Sequence, residues 1–196
     1  MPTPMLPWTV AALAYAAFLL WYLPLWRRVS PDEVRHVVVA AEAEGMPAER
    51  IAELRRFLEN DSGEAFVIVN LLQLREPKAD AQRAMAVYQK RFMGRLFRMA
   101  GFPLYAGRAA MARNIEQWGI DADGWDAVAL VRYRCRRDLA RMILFSCEDG
   151  VRDFKHAGLE RTFAVPVRPI VSSVSPCLLV GLSLALAAAL MHITLA

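Results

Sequence analysis

Metal-ligand and thiol chemistry have little to work with in this chain. Its 196 residues include three histidines and three cysteines. Cys135, Cys147 and Cys177 form no CxxC or zinc-like spacing, and an odd, scattered set points to a reduced compartment rather than a disulfide framework. His36 lies near the start and His192 near the end, and His156, the histidine of the central region, has no cluster of ligand-type neighbours. No metal or haem site, and no cofactor, is therefore expected. No Ser or Cys stands with a histidine and a carboxylate in a nucleophile motif, and no glycine cradle for phosphate is present. The arginine-rich stretches lack the interleaved aromatics that stack bases, so nucleic acid is not an expected partner. Asp121, Asp123 and Asp126 sit in a turn, where local backbone hydrogen bonding accounts for them. A non-catalytic role is the expectation these absences leave.

Charge is missing from both ends. Pro7–Trp26 runs for about 20 residues without an ionisable charge, enough as a helix to cross a hydrocarbon core of roughly 30 Å. Trp8 marks one edge, Trp21, Tyr22 and Trp26 the other, and Pro24 falls in the last turn. No Lys or Arg precedes the segment and its apolar run exceeds a signal-peptide core, so a retained anchor is expected. Ser175–Ala196 is a second expected span. Arg27, Arg28 and Arg35 follow the first span and Arg161 and Arg168 precede the second. By the positive-inside rule both termini would be periplasmic and the middle cytoplasmic, at a bacterial inner membrane. The net charge of +4 suits a domain beside anionic lipid. Gly181, Ala185 and Ala189 recur every four residues in the second span, a spacing that lets helices approach closely.

The expected organisation is a span over 1–28, a two-helix connector over 30–60, a domain over 64–169 and a span over 174–196. Ser30-Pro31-Asp32-Glu33 combines an N-cap, a first-turn proline and a capping-box glutamate. Pro47-Ala48-Glu49 opens a second helix, and Asn60–Gly63 reads as a turn. Phe66–Leu72 is apolar on both faces, the pattern of an interior strand covered on both sides. A helix over 80–100 carries Ala81, Met85, Tyr88, Phe92, Leu96 and Met99 as one stripe, with Gly101 ending it. Strands over 103–111 and 125–134, helices over 136–147 and 149–157, and a strand over 159–167 follow. The order β-α-β-β-α-β predicts an α+β, ferredoxin-like fold.

Several of these stretches carry a resemblance: FVIVNLLQLREP from Phe66, the helix containing Tyr88, Gly101, WDAVALVRYRCRRDLARM from Trp125, and HAGLERTFAVPV from His156. Together, over about Glu64 to Pro169, they resemble a domain-of-unknown-function group of the dimeric α/β-barrel superfamily. Where a Tyr-Pro-Ser-like turn is usual in that group, this chain has Tyr133-Arg134-Cys135-Arg136. The resemblance implies a ferredoxin-like protomer whose sheet packs against a second copy, and a pocket between sheet and helices. That superfamily includes monooxygenases, haem-degrading enzymes, chlorite dismutases and isomerases, so the fold leaves the chemistry open.

Asn70 interrupts the first strand with a full amide, read either as a pocket wall that bonds a ligand or as a group satisfied by the backbone. With Tyr88, Arg132 and Tyr133 it forms the candidate pocket. Arg134, Arg136, Arg137 and Arg141 form a basic run expected to touch anionic lipid or a partner's acidic patch. Two functions follow. The first is a non-catalytic accessory or scaffold subunit of a membrane complex, possibly an energy-transducing one, with membrane lipids and a larger complex or a homodimer as partners. The alternative is a membrane-tethered enzyme or binding protein for a small apolar or aromatic molecule such as a quinone.

Overall fold

The structure, a computed structural model, describes residues 5–23, 28–111, 113–119, 123–148, 150–170 and 175–195. Pro24, Trp26, Arg27, Asp121, Asp149 and Ala196, which carry parts of the expectations above, lie outside these residues. The chain divides into two compact units, one formed by its ends and one by 26–169.

In the end unit, α1 spans Leu6–Tyr22 and the last helix Pro176–Leu195. Within the latter, Pro176–Thr194 is long and apolar enough to cross a membrane, about 28 Å at 1.5 Å per residue. Helix α1, at 17 residues, falls short of that length. The Tyr15 hydroxyl donates to the carbonyl of Cys177 at 3.1 Å, and the Tyr15 ring leaves only 3.2 Å for a Cβ at Gly181. The packed stripe continues through Ala188, which is buried, whereas Ala185 is exposed and Ala189 half-buried. A four-residue repeat drifts around a 3.6-residue helix, so its second member, Ala185, turns outward.

The central unit begins with α2 (Pro31–Ala43) and α3 (Ala48–Glu59). The capping box forms as expected, with Glu33 N–H donating to Ser30 Oγ at 3.2 Å and Ser30 N–H to Glu33 Oε2 at 3.0 Å. Then come β1 (Phe66–Leu74), α4 (Lys78–Arg98), β2 (Phe102–Arg108), β3 (Ala127–Tyr133), α5 (Arg136–Glu148), α6 (Val151–Gly158) and β4 (Leu159–Val167). The four strands form one antiparallel sheet in the order β2-β3-β1-β4, the ferredoxin-like arrangement of an α+β domain. Asn70 stands opposite Ala129 on β3 and Ala164 on β4.

The two helices expected as a connector pack on α5: Val34, Val37, Val38, Ala41, Ile51, Leu58 and Ala140 form one buried cluster. A second cluster of Phe66, Leu96, Met99, Val131, Tyr133 and Met142 lies between sheet and helices, with Phe57 touching both. Ala100, not Gly101, takes the left-handed conformation after α4 (φ 55°). Gly101 serves close approach instead, because a Cβ there would lie 2.4 Å from Leu96 and 3.1 Å from the Arg132 carbonyl.

Asp126 ties the strand ends together. Its N–H donates to the Leu72 carbonyl and its carbonyl accepts from Ala109, both at 2.9 Å. Its carboxylate accepts from the Leu74 N–H at 2.8 Å and pairs with Lys78. Burial pushes this carboxyl upward, but Lys78 and the Leu74 N–H outweigh it and hold it below its ordinary value.

Candidate functional site

Successive residues of a strand face opposite sides of its sheet. Ile68, Asn70, Ala129, Val131 and Tyr133 therefore turn toward the helices, where a cavity of about 210 Å³ lies between the sheet and α4, α5 and α6. Helix α4 contributes Met85, Tyr88, Gln89 and Phe92, α5 contributes Met142 and Ser146, and α6 contributes Arg152 and Lys155. The stripe read on α4 thus divides: Ala81, Leu96 and Met99 pack into the core, and Tyr88 and Phe92 line the cavity, their rings stacked at 5.2 Å.

Asn70 Nδ2 donates to the carbonyls of Ile68 and Ala129, both at 3.2 Å. Carbonyls accept only, so the amide nitrogen must face them and Oδ1 is left for the cavity. Both readings of Asn70 survive in part, since one end is tied to the sheet and the other is available. Tyr133 stacks on Phe66 at 5.6 Å. Among the described residues neither the Tyr88 nor the Tyr133 hydroxyl has a protein hydrogen-bond partner. Burial raises both phenols far above their ordinary value, so they stay neutral donors; the Arg152 charge works the other way on Tyr88.

Asn70, Tyr88 and Tyr133 are brought together, and Arg132 is not. Arg132 pairs in register with Val67 and Phe102 on the opposite sheet face, its guanidinium 5.6 Å from the Phe102 ring. That face is left open: Tyr105, Phe163 and Val165 are 54, 45 and 49% exposed.

Within the basic run one arginine is withdrawn from the surface and the others make contacts inside the chain. Arg134 is 2% exposed, its Nε and Nη2 donating to the two carboxylate oxygens of Asp138 at 2.8 and 3.2 Å, so it does not reach lipid. Arg136 donates to the carbonyls of Phe57 and Asn60 and lies 4.3 Å over the Phe57 ring. Arg137 and Arg141 both donate to Glu33 Oε1, at 2.8 and 3.2 Å. Burial raises the Glu33 carboxyl, but the Ser30 N–H and these arginines outweigh it and hold it low. The run thus holds α5 to the helices before it. Cys135, in the turn that departs from the resembled group, is buried, and burial with the nearby Asp138 charge pushes its thiol up to about 11. That makes it inert as a nucleophile at neutral pH.

Lys155 and Arg152 were missed from sequence. Three residues apart on one short helix, they share a face, but only the packing of α6 on α4 brings that face to the cavity. The close approach rests on Gly158, where a Cβ would lie 2.6 Å from Met85.

No family model and no curated protein matches this chain. Among solved structures it is similar to a protein of unknown function from Rhodopseudomonas palustris, at 20% identity and a TM-score of 0.52 over 64% of this chain and 95% of that one. The methylated form of that protein gives 20% identity and a TM-score of 0.50, over 65% of this chain and 95% of its own. At this identity the likeness establishes the fold alone. A dimeric protein of unknown function and ferredoxin-like fold from Bacteroides fragilis shares 11% identity over 56% of this chain and 99% of its own, and its TM-score of 0.37 is too slight to carry an argument.

Proposed function

We propose that this protein is a membrane-anchored binding protein for a small, largely apolar molecule held between the sheet and helices of its central unit. The observation that carries this reading is the cavity itself, apolar along the sheet and α4 and furnished with the Asn70 Oδ1 and two tyrosine hydroxyls that have no partner among the described residues. An apolar cavity of about 150 Å³ holds a benzene ring, so 210 Å³ suits a single substituted ring. A haem or flavin needs a pocket at the upper end of roughly 300–1,000 Å³, and a quinone would enter by its head group alone. The test is extraction of the full chain from native membranes and mass spectrometry of what it retains. A one-ring compound that is absent from a cavity-filled Ala129→Leu preparation supports the reading, and equal content in both preparations overturns it.

In this reading both apolar helices anchor the chain, and Arg28 and Arg35 after the first and Arg161 and Arg168 before the second support a cytoplasmic central unit. Labelling of a cysteine introduced at Glu116 in intact, unpermeabilised cells would refute that orientation.

A second reading, the accessory subunit of a membrane complex, is favoured by the open sheet face of Tyr105, Phe163 and Val165. An apolar sheet face of this kind calls for a cover, either a second copy, as the resemblance to the dimeric α/β-barrel superfamily implies, or another subunit. Val165→Lys abolishes such an association. A protein whose mass in detergent is monomeric before and after that change has no such partner.

A further inference from the structure

The cavity has a chemically distinct end. Its sheet and α4 walls carry Met85, Phe92 and Val131, and among the described residues no Asp or Glu lines it. At the α6 end stand Lys155 and Arg152. Arg152 has Glu44 at 3.7 Å and donates to Cys147 Sγ at 3.3 Å. Lys155 has no hydrogen bond or ion pair among the described residues. A cation drawn away from water is costly unless it is paired, and among the described residues the fold supplies Lys155 with no anion.

Resting on the reading of this cavity as a binding site, we propose that its ligand is a small aromatic carboxylic acid, the ring between Phe92 and Val131 and the carboxylate at Lys155 and Arg152. Two cations around one carboxylate leave the site with a balanced charge once the single carboxylate of Glu44 is counted against Arg152. The neutral hydroxyls of Tyr88 and Tyr133 are donors, as a carboxylate requires. Size agrees, because 210 Å³ exceeds a benzene site of about 150 Å³ by two shares of liquid water at about 30 Å³ each, close to the bulk of one carboxylate. Burial and the adjacent Arg152 charge press the Lys155 ammonium below its ordinary pKa, which an arriving anion reverses.

The experiment measures binding of benzoate and of benzamide, its neutral isostere, to the full chain in detergent at pH 7, by calorimetry or ligand-observed magnetic resonance. Benzoate is expected to bind at least about tenfold more tightly, the order of a charge-assisted hydrogen bond. Lys155→Met should bring the two probes level, Lys155→Arg should keep the preference, and the cavity-filling Ala129→Leu should lose both probes. Equal binding of the two probes to the native chain, or a preference unchanged in Lys155→Met, would overturn the acid assignment and leave the cavity reading standing. Failure of both probes to bind, or binding unaffected by Ala129→Leu, would overturn the cavity reading itself. If Lys155→Met does not fold, Lys155→Gln decides, since a preference for benzoate that is unchanged there removes the ammonium's role.

Discussion

Arg134, buried, and Lys155, half-buried, are two cations that the central unit treats in opposite ways. Arg134 is clasped by both oxygens of Asp138, one helical turn further along its own chain. Lys155 projects from α6 to the cavity without an acid paired to it among the described residues. A buried charge with its partner built in is part of the architecture. One without a partner either burdens the fold or waits for something to arrive. Between these extremes lie Glu33, paired twice, and Asn70, paired at one end of its amide. The cost of removing a group should therefore fall along the series Arg134–Asp138, Glu33, Asn70, Lys155.

The largest effect is expected for Asp138→Ala, which strands a guanidinium in the interior and should cost about 3–5 kcal/mol in chemical denaturation. Replacing both partners by apolar residues of similar volume should cost less than this single change. A loss below about 1 kcal/mol from Asp138→Ala would dissolve the contrast. Next comes Glu33→Ala, which removes the capping box and both arginine contacts for about 1–3 kcal/mol. Because the folded state holds this carboxyl low, its contribution is present above the unfolded value of about 4.3 and is lost as pH falls through the folded one. Glu33→Gln should accordingly flatten the decline in stability below about pH 4.3, and an unchanged decline would remove Glu33 from the series.

Asn70→Leu follows, at about 1 kcal/mol and at most about 3, since it deprives the Ile68 and Ala129 carbonyls of a donor. A melting temperature that does not fall would place Asn70 on the ligand side of the divide. Lys155→Met should change stability least, within about 0.5 kcal/mol or in the stabilising direction, because it removes an uncompensated charge. The sign with pH is opposite to that of Glu33. The folded state lowers the lysine's affinity for its proton, so the penalty is full at neutral pH and fades as pH approaches the unfolded value of about 10.4. Any advantage of Lys155→Met should shrink over the same range, and a constant advantage would show that the charge is not its source.

How far this contrast could be seen in the sequence depends on the distance over which each group acts. The strand Leu159–Val167 was read to the residue, and the α4 stripe was sound, because both follow from local periodicity. Arg132 was grouped with Tyr133 although adjacent strand residues point apart, an error that parity alone could have prevented. The basic run was taken for surface by its density, yet Arg134 and Asp138 stand at the i,i+4 spacing of a helical ion pair, a signal already in the sequence. The tie from Arg137 and Arg141 to Glu33 spans more than a hundred residues, and the place of Lys155 depends on how α6 packs against α4. Neither leaves a local trace.

The fourfold grip of Asp126 bears on how long the folded state lasts. Its main chain bonds Leu72 and Ala109, and its carboxylate bonds Leu74 and Lys78, which meet it only once β1 and β3 are paired. Interactions that close after the rate-limiting step lend nothing to the speed of folding and act wholly against its reversal. Asp126→Ala should therefore shorten the lifetime of the native state while leaving the refolding rate unchanged, making this carboxylate a latch on the open sheet end rather than a guide to its assembly.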